Sequence, residues 1–134
     1  MKEQARFDMF FTYGFPVVEV SGDLDLTNMR EFGAALELAA GADRGSVIVY
    51  LGPTTYFDSQ AIHVLLRFAE HLAITRQRLI IVAPRGALPR RILEIAGLTQ
   101  AFPVFDNMQE AVAAAQPAWS QPASHRQDRP MQHD

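Results

Sequence analysis

Asp23-Leu24-Asp25-Leu26-Thr27 and Thr55-Tyr56-Phe57-Asp58-Ser59 are the two places in this 134-residue chain where side chains able to do chemistry cluster. Two aspartates flanking one residue, followed by threonine, resemble the D-x-D-x-T signature of haloacid-dehalogenase-type phosphatases. The first carboxylate would attack phosphorus and the second would handle the proton. That chemistry also needs a distal cation, ordinarily lysine, and acidic magnesium ligands late in the chain. The only lysine is Lys2, and the late aspartate Asp106 has no acidic neighbour in sequence. The simpler account is a pair of carboxylates in a loop at a helix N-terminus, where the dipole favours them.

Other enzyme patterns are missing. No G-x-S-x-G, G-x-x-x-x-G-K or G-x-G-x-x-G occurs. His63 and His71 are two helical turns apart, too far to ligate one metal without a partner segment. Ser59 and His63 resemble half of a nucleophile–base pair, with no recognisable third group to orient the base. Ser59 suits a different role. Asp58 and Ser59 both accept hydrogen bonds from free backbone N–H groups, so the pair reads as a helix start. A hydroxyl there is exposed, and a phosphate on it would meet the positive end of the helix dipole. Phosphorylation would add roughly −1.5 to −2 charge to the surrounding surface. Asp58, with Asp25 if its loop lies at the same end of the sheet, would make that surface anionic and expel a docked partner.

The elements that must position these residues alternate. Phe7–Thr12 and Val17–Ser21 read as strands joined by a turn at Tyr13-Gly14-Phe15-Pro16. Thr27 or Asn28 would cap a helix, with Glu31 completing a capping box, Phe32, Ala35, Leu36 and Ala39 on its apolar face, and Gly41 at its end. Ser46–Leu51 reads as a buried strand broken by Gly52-Pro53-Thr54-Thr55. A helix from Ser59 carries Ile62, Leu65, Leu66, Ala69, Leu72 and Ala73 on one stripe. Leu79–Val82 is the next strand, and Pro89 and Gly97 bracket a further helix. Phe102–Phe105 is a short last strand, and Asn107 with Glu110 caps a helix over Ala111–Ala115. The order predicts an α/β fold: one small mixed sheet, mostly parallel, with an N-terminal hairpin, about four helices and right-handed crossovers.

Composition bounds the function. Apolar residues make up 49% and charged residues 20% of the chain, as in ordinary soluble domains. There is no cysteine, which excludes disulfides, thiolate metal sites and thiol nucleophiles. The net charge of −3 does not favour nucleic-acid binding. Residues 1–58 hold four basic and nine acidic groups, whereas residues 67–91 hold six arginines and one glutamate. The Arg90-Arg91 pair has no interleaved aromatic residues of the kind that stack bases. No segment has the length and apolarity of a signal peptide or membrane helix, so a cytoplasmic location is expected. After Gln116 the composition changes: three prolines, a lone Trp119 and no larger aliphatic until Met131 predict a flexible tail over 117–134, outside a single domain spanning 1–116.

Four segments, at these separations, make the chain resemble a STAS domain of the bacterial anti-sigma factor antagonists. They are Ser21-Gly22-Asp23-Leu24-Asp25, Phe57-Asp58-Ser59, Arg91-Ile92-Leu93-Glu94-Ile95-Ala96-Gly97-Leu98, and Phe105 through Ala111. The resemblance implies a binding module rather than an enzyme, with no cofactor. Its partner would be an anti-sigma factor that is a serine kinase of the histidine-kinase-like ATPase fold, with no nucleic acid and no membrane involved. Ser59 matches the family's phosphorylated serine, and Asp58 and Asp25 match acidic positions of the docking surface. Gln60 and Ala61 stand where the family commonly has Ser or Thr and then Gly. Tyr50 replaces a usual Asp or Asn, and the Gly52-Pro53 pair is unusual for the family. His63 and Arg67 share the exposed stripe of Ser59, either as partner contacts or as a solvated face. A non-phosphorylated scaffold subunit of a transporter ATPase or signalling assembly is the alternative, and a weak homodimer is compatible with either.

Overall fold

Tyr13 and Gly14 both take positive φ, +50° and +85°, and together form a two-residue hairpin turn. The turn is tighter than the four residues expected, because Phe15 and Pro16 already belong to the second strand. The first strand, β1, spans Arg6–Thr12 and pairs antiparallel with β2, Phe15–Leu24. Residues 4–42 and 45–116 are described in this computed structural model. The expected tail over 117–134, with Trp119, lies outside them.

After β2 a 3-10 turn over Leu26–Asn28 leads into α1, Met29–Ala42. The remaining elements are β3 (Ser46–Tyr50), β4 (Thr54–Phe57), α2 (Ser59–Ile74), β5 (Arg78–Val82), α3 (Leu88–Ile95), β6 (Val104–Phe105) and α4 (Met108–Ala115). The sheet has six strands in the order β1-β2-β3-β5-β6, with β4 attached to β2. Only β1 runs antiparallel, as expected.

Burial explains the strand sequences. Val47 and Val49 of β3, with Leu79 and Ile81 of β5, face a core built on α1, α2 and α3. Ile48, Ile80 and Val82 point the other way, onto Ala111, Val112 and Ala115 of α4. Strands covered on both faces must be apolar where they are covered, and residues 47–49 of β3 and 79–82 of β5 are. On α2 the fully or nearly buried residues are Ala61, Leu65, Phe68 and Leu72. The apolar stripe is therefore rotated from the one expected: Ile62, Leu66 and Ala69 lie at its border and Ala73 is exposed. Phe7 of β1 stacks on Phe32 of α1 with ring centroids 5.7 Å apart, tying the hairpin to the helices.

Two local readings change. Asp25, not Thr27 or Asn28, caps the first helical segment. Asn28 is the reciprocating member of that capping box, and α1 runs past Gly41 to Ala42. The segment expected only to break β3 contains β4, a strand in its own right. It pairs with the last residues of β2, from Gly22↔Thr54 to Leu24↔Phe57. By contrast Pro89 lies in the first turn of α3, and Gly97 follows α3 with φ +75°, as the sequence implies.

Candidate functional site

The parallel strands β2 and β4 end at the same edge of the sheet, and that edge brings the two chemistry-bearing segments together. Asp25 accepts from the Thr27 N–H at 2.9 Å and from the Thr27 hydroxyl at 2.6 Å. Asn28 Oδ1 accepts from the Asp25 N–H at 3.1 Å, and Asn28 Nδ2 donates to the Asp23 carbonyl at 2.8 Å. Asp23 in turn accepts the Thr55 hydroxyl at 2.6 Å, linking the loop after β2 to β4. The Thr54 hydroxyl donates to the Val20 carbonyl at 2.8 Å, and the Gly22 N–H donates to the Pro53 carbonyl at 3.2 Å. Gly22 itself is required. Its φ is +85°, and a Cβ there would overlap the Gln4 carbonyl.

Asp58 caps α2 and accepts from the N–H groups of Gln60 at 3.0 Å and Ala61 at 3.4 Å. Ser59 is the first helical residue and is exposed. Asp23, Asp25, Leu26, Thr27, Thr55, Tyr56 and Asp58 line one shallow depression, so three carboxylates converge beside the start of α2. Each has a structural occupation: Asp25 and Asp58 cap helical segments and Asp23 holds the Thr55 hydroxyl.

Across α2 lies a groove between α1 and α2. Leu26, Met29, Gly33, Leu36 and Glu37 form one wall; Gln60, His63, Val64, Arg67, Phe68 and His71 form the other. Leu26 borders both the groove and the depression. Gln60, His63 and Arg67 thus share one surface, as their spacing requires. Ala61 does not join them. It is 0% exposed, and its methyl points into the core, not towards a docked molecule. Asp25 is also nearly buried, at 6%, and contributes charge from beneath the surface. The sequence did not signal Leu26 and Tyr56, which are exposed apolar side chains flanking the carboxylates.

The arginines of 67–91 do not form one free basic patch. Arg90 is clamped by the Ala83 carbonyl at 2.8 Å, Asp106 at 3.0 Å and Glu94 at 3.2 Å. Arg85 pairs with Asp106 at 3.2 Å, and Arg78 donates to the Ala114 carbonyl at 3.2 Å. Tyr50 and Gly52 explain one another, because a Cβ on Gly52 would come 2.6 Å from the Tyr50 ring. Among the described residues no group of three or more His, Asp or Glu side chains could hold a metal ion. No helix among them is long and apolar enough to cross a membrane.

The family model of the STAS domain matches residues 6–111. A Bordetella bronchiseptica protein named provisionally as the anti-sigma factor antagonist BtrV is 32% identical over 104 residues, covering 76% of this chain and 86% of its own. Among solved structures, an anti-sigma factor antagonist from Mycobacterium paratuberculosis superposes with a TM-score of 0.75 at 22% identity, covering 85% of this chain and 96% of that one. The antagonist SpoIIAA in its unphosphorylated form gives 0.65 at 20% identity, covering 81% and 95%. The phosphorylated form of the Bacillus SpoIIAA gives 0.61 at 20% identity, covering 83% and 100%. The match over nearly all of the described residues and the shared topology lead to one assignment: the chain belongs to the STAS domain family.

Proposed function

We propose that this chain is an anti-sigma factor antagonist that docks a serine-kinase anti-sigma factor and is released by phosphorylation of Ser59. One observation carries the reading: an exposed serine opens α2, and its two chain neighbours line the two surfaces, Asp58 the depression with three carboxylates and Gln60 the groove with His63 and Arg67. The relative SpoIIAA, solved in both unphosphorylated and phosphorylated forms, supports a switch of this kind. In the unmodified state Gln60, His63 and Arg67 contact the partner, and Leu26 and Tyr56 supply apolar area. The kinase transfers the terminal phosphoryl group of ATP to the Ser59 oxygen. A new O–P bond forms, the bond to the ADP oxygen breaks, and the hydroxyl proton leaves.

The product carries roughly −1.5 to −2 extra charge on a surface that already holds Asp23, Asp25 and Asp58. The helix dipole compensates only in part, because Asp58 already occupies the N–H groups of Gln60 and Ala61. A partner fitted to the unmodified surface is therefore repelled, while α2 stays folded. This activity belongs in the cytoplasm, where the kinase finds ATP.

The buried Ala61 methyl removes one obstacle. The difference from the family's usual glycine is absorbed by the core and leaves the docking surface unchanged. Titration calorimetry with a serine-kinase anti-sigma factor from the same organism tests the proposal. Ser59→Ala should bind like wild type and take up no phosphate with kinase and ATP, read by intact mass. Ser59→Asp should bind about a hundredfold more weakly, a few kcal/mol, with an unchanged circular dichroism spectrum. Equal affinity of Ser59→Asp and wild type would make Ser59 a plain helix residue and the chain a non-phosphorylated scaffold.

A further inference from the structure

Strand β1 is an unguarded edge. Among the described residues it pairs only with β2, through an unbroken ladder from Arg6↔Ser21 to Thr12↔Phe15. Edge strands in soluble proteins are usually blunted by lysine, proline, a bulge or shortness. β1 has seven residues, Arg-Phe-Asp-Met-Phe-Phe-Thr, with no lysine, proline or bulge, and the charges that could also guard it are confined to its first three residues. Met9, Phe10 and Phe11 are 37%, 38% and 53% exposed. Its two charges, Arg6 and Asp8, lie at one end and pair with each other at 3.7 Å.

The hairpin fixes which backbone groups face outward. Residues flanking a two-residue turn form a hydrogen-bonded pair, and the pairs alternate from there. Thr12, Phe10, Asp8 and Arg6 therefore direct their N–H and C=O groups to β2. Phe11 lies opposite Pro16, which has no N–H to give, in agreement with that alternation. Phe7, Met9 and Phe11 direct theirs away from the sheet.

We propose that β1 is a homodimerisation edge, on which a second copy of the chain pairs its own β1 antiparallel about a twofold axis at Phe10. Charge and polarity select that register. Only odd residues offer outward hydrogen bonds, so the axis must fall on a residue. An axis at Asp8 sets aspartate against aspartate, and an axis at Met9 sets each Asp8 against Phe10 of the second copy. An axis at Phe10 sets Phe10 against its own equivalent, Met9 against Phe11, and Asp8 against Thr12. Apolar meets apolar and the carboxylate meets a hydroxyl. The opposite edge of the sheet, β6, has two residues and offers β1 too short a ladder for an open filament.

This pairing is compatible with docking at α2. The Arg6 end of β1 lies at the docking edge of the sheet and the Tyr13-Gly14 turn at the other. An antiparallel dimer therefore points its two docking surfaces in opposite directions, and both remain accessible.

The full chain carries no cysteine, so single introduced thiols give a clean test. At the axis the two Cα atoms would be about 4.5 Å apart, within disulfide range. With oxidised glutathione as electron acceptor, Phe10→Cys should form an intermolecular disulfide at least tenfold faster than Asp8→Cys. In the latter the two sulfurs belong to residues four steps apart along the ladder, about 13 Å. Sedimentation equilibrium on the wild-type chain should show the mass rising from 14.9 kDa towards twice that value with concentration. Phe11→Lys should weaken this association at least tenfold while leaving the circular dichroism spectrum unchanged. A wild-type chain that stays monomeric at every concentration overturns the proposal, whatever covers the edge. So does equal cross-linking of the two cysteine variants, or self-association untouched by Phe11→Lys.

Discussion

Asp58 and Ser59 are chain neighbours with separate roles, and the start of a helix separates them. The residue before the first turn turns its side chain back onto free N–H groups, whereas the next residue points outward. Asp58 therefore holds the helix and Ser59 remains available for modification. Replacing Asp58 with alanine leaves the N–H groups of Gln60 and Ala61 without their side-chain acceptor. Urea denaturation should show a loss of about 1 kcal/mol, whereas Ser59→Ala should change stability by less than about 0.5 kcal/mol. At this scale the sequence was legible for the cap at Asp58 and for the exposure of Ser59, His63 and Arg67, because capping chemistry and four-residue spacing are local rules. It misplaced Ala61, whose type suits surface and core equally. Only the rotation of α2 about its axis, set by Leu65, Phe68 and Leu72, turns that methyl inward.

Elements follow their sequences where a local rule dominates, and depart where a tertiary partner substitutes for one. α3 and α4 begin where proline and asparagine indicate, and the glycine after α3 takes the left-handed conformation. β4 was not legible. Its Thr-Thr-Tyr-Phe sequence has no apolar alternation, and Thr54 is buried because its hydroxyl finds the Val20 carbonyl. The arginines of 67–91 read as a basic surface, yet Arg90 is spent on Glu94 one turn along its own helix and on the Ala83 carbonyl and Asp106, which the ends of β5 and β6 bring to it. Gly22 is the element-scale residue most exposed to a test. Its φ of +85° and its contact with Gln4 leave no room for a methyl. Gly22→Ala should destabilise the chain by at least about 1 kcal/mol and blur the β2–β4 pairing. The loss should be visible as a lower urea midpoint and as weaker partner binding, because Asp23 follows directly.

Across the whole molecule β2 has an unusual share of the sheet. It forms ladders with β1, β3 and β4, and its side chains enter both cores: Val18, Val20 and Leu24 on one face and Val17 on the other. These ladders differ in the length of chain they must close. The β1 ladder closes across a two-residue turn, whereas the ladders of β2 with β3 and with β4 each cover three pairs between distant segments, and only β3 gains a second ladder, of five pairs, to β5. Short-range pairings form early and long closures late, since loop entropy must be offset before a distant contact contributes. Native-state hydrogen exchange should find β3 and the first half of β2 slowest, with the amides of β4 opening at distinctly lower free energy. Exchange as slow in β4 as in β3 would contradict this ranking. The bond from Thr55 to Asp23 crosses the β2–β4 closure, so the surface around Ser59 should loosen before the β3–β5 centre of the sheet does. A nascent chain would expose its hairpin long before β4 and the start of α2 were in place, so the modification of Ser59 proposed above would meet an unformed target during synthesis.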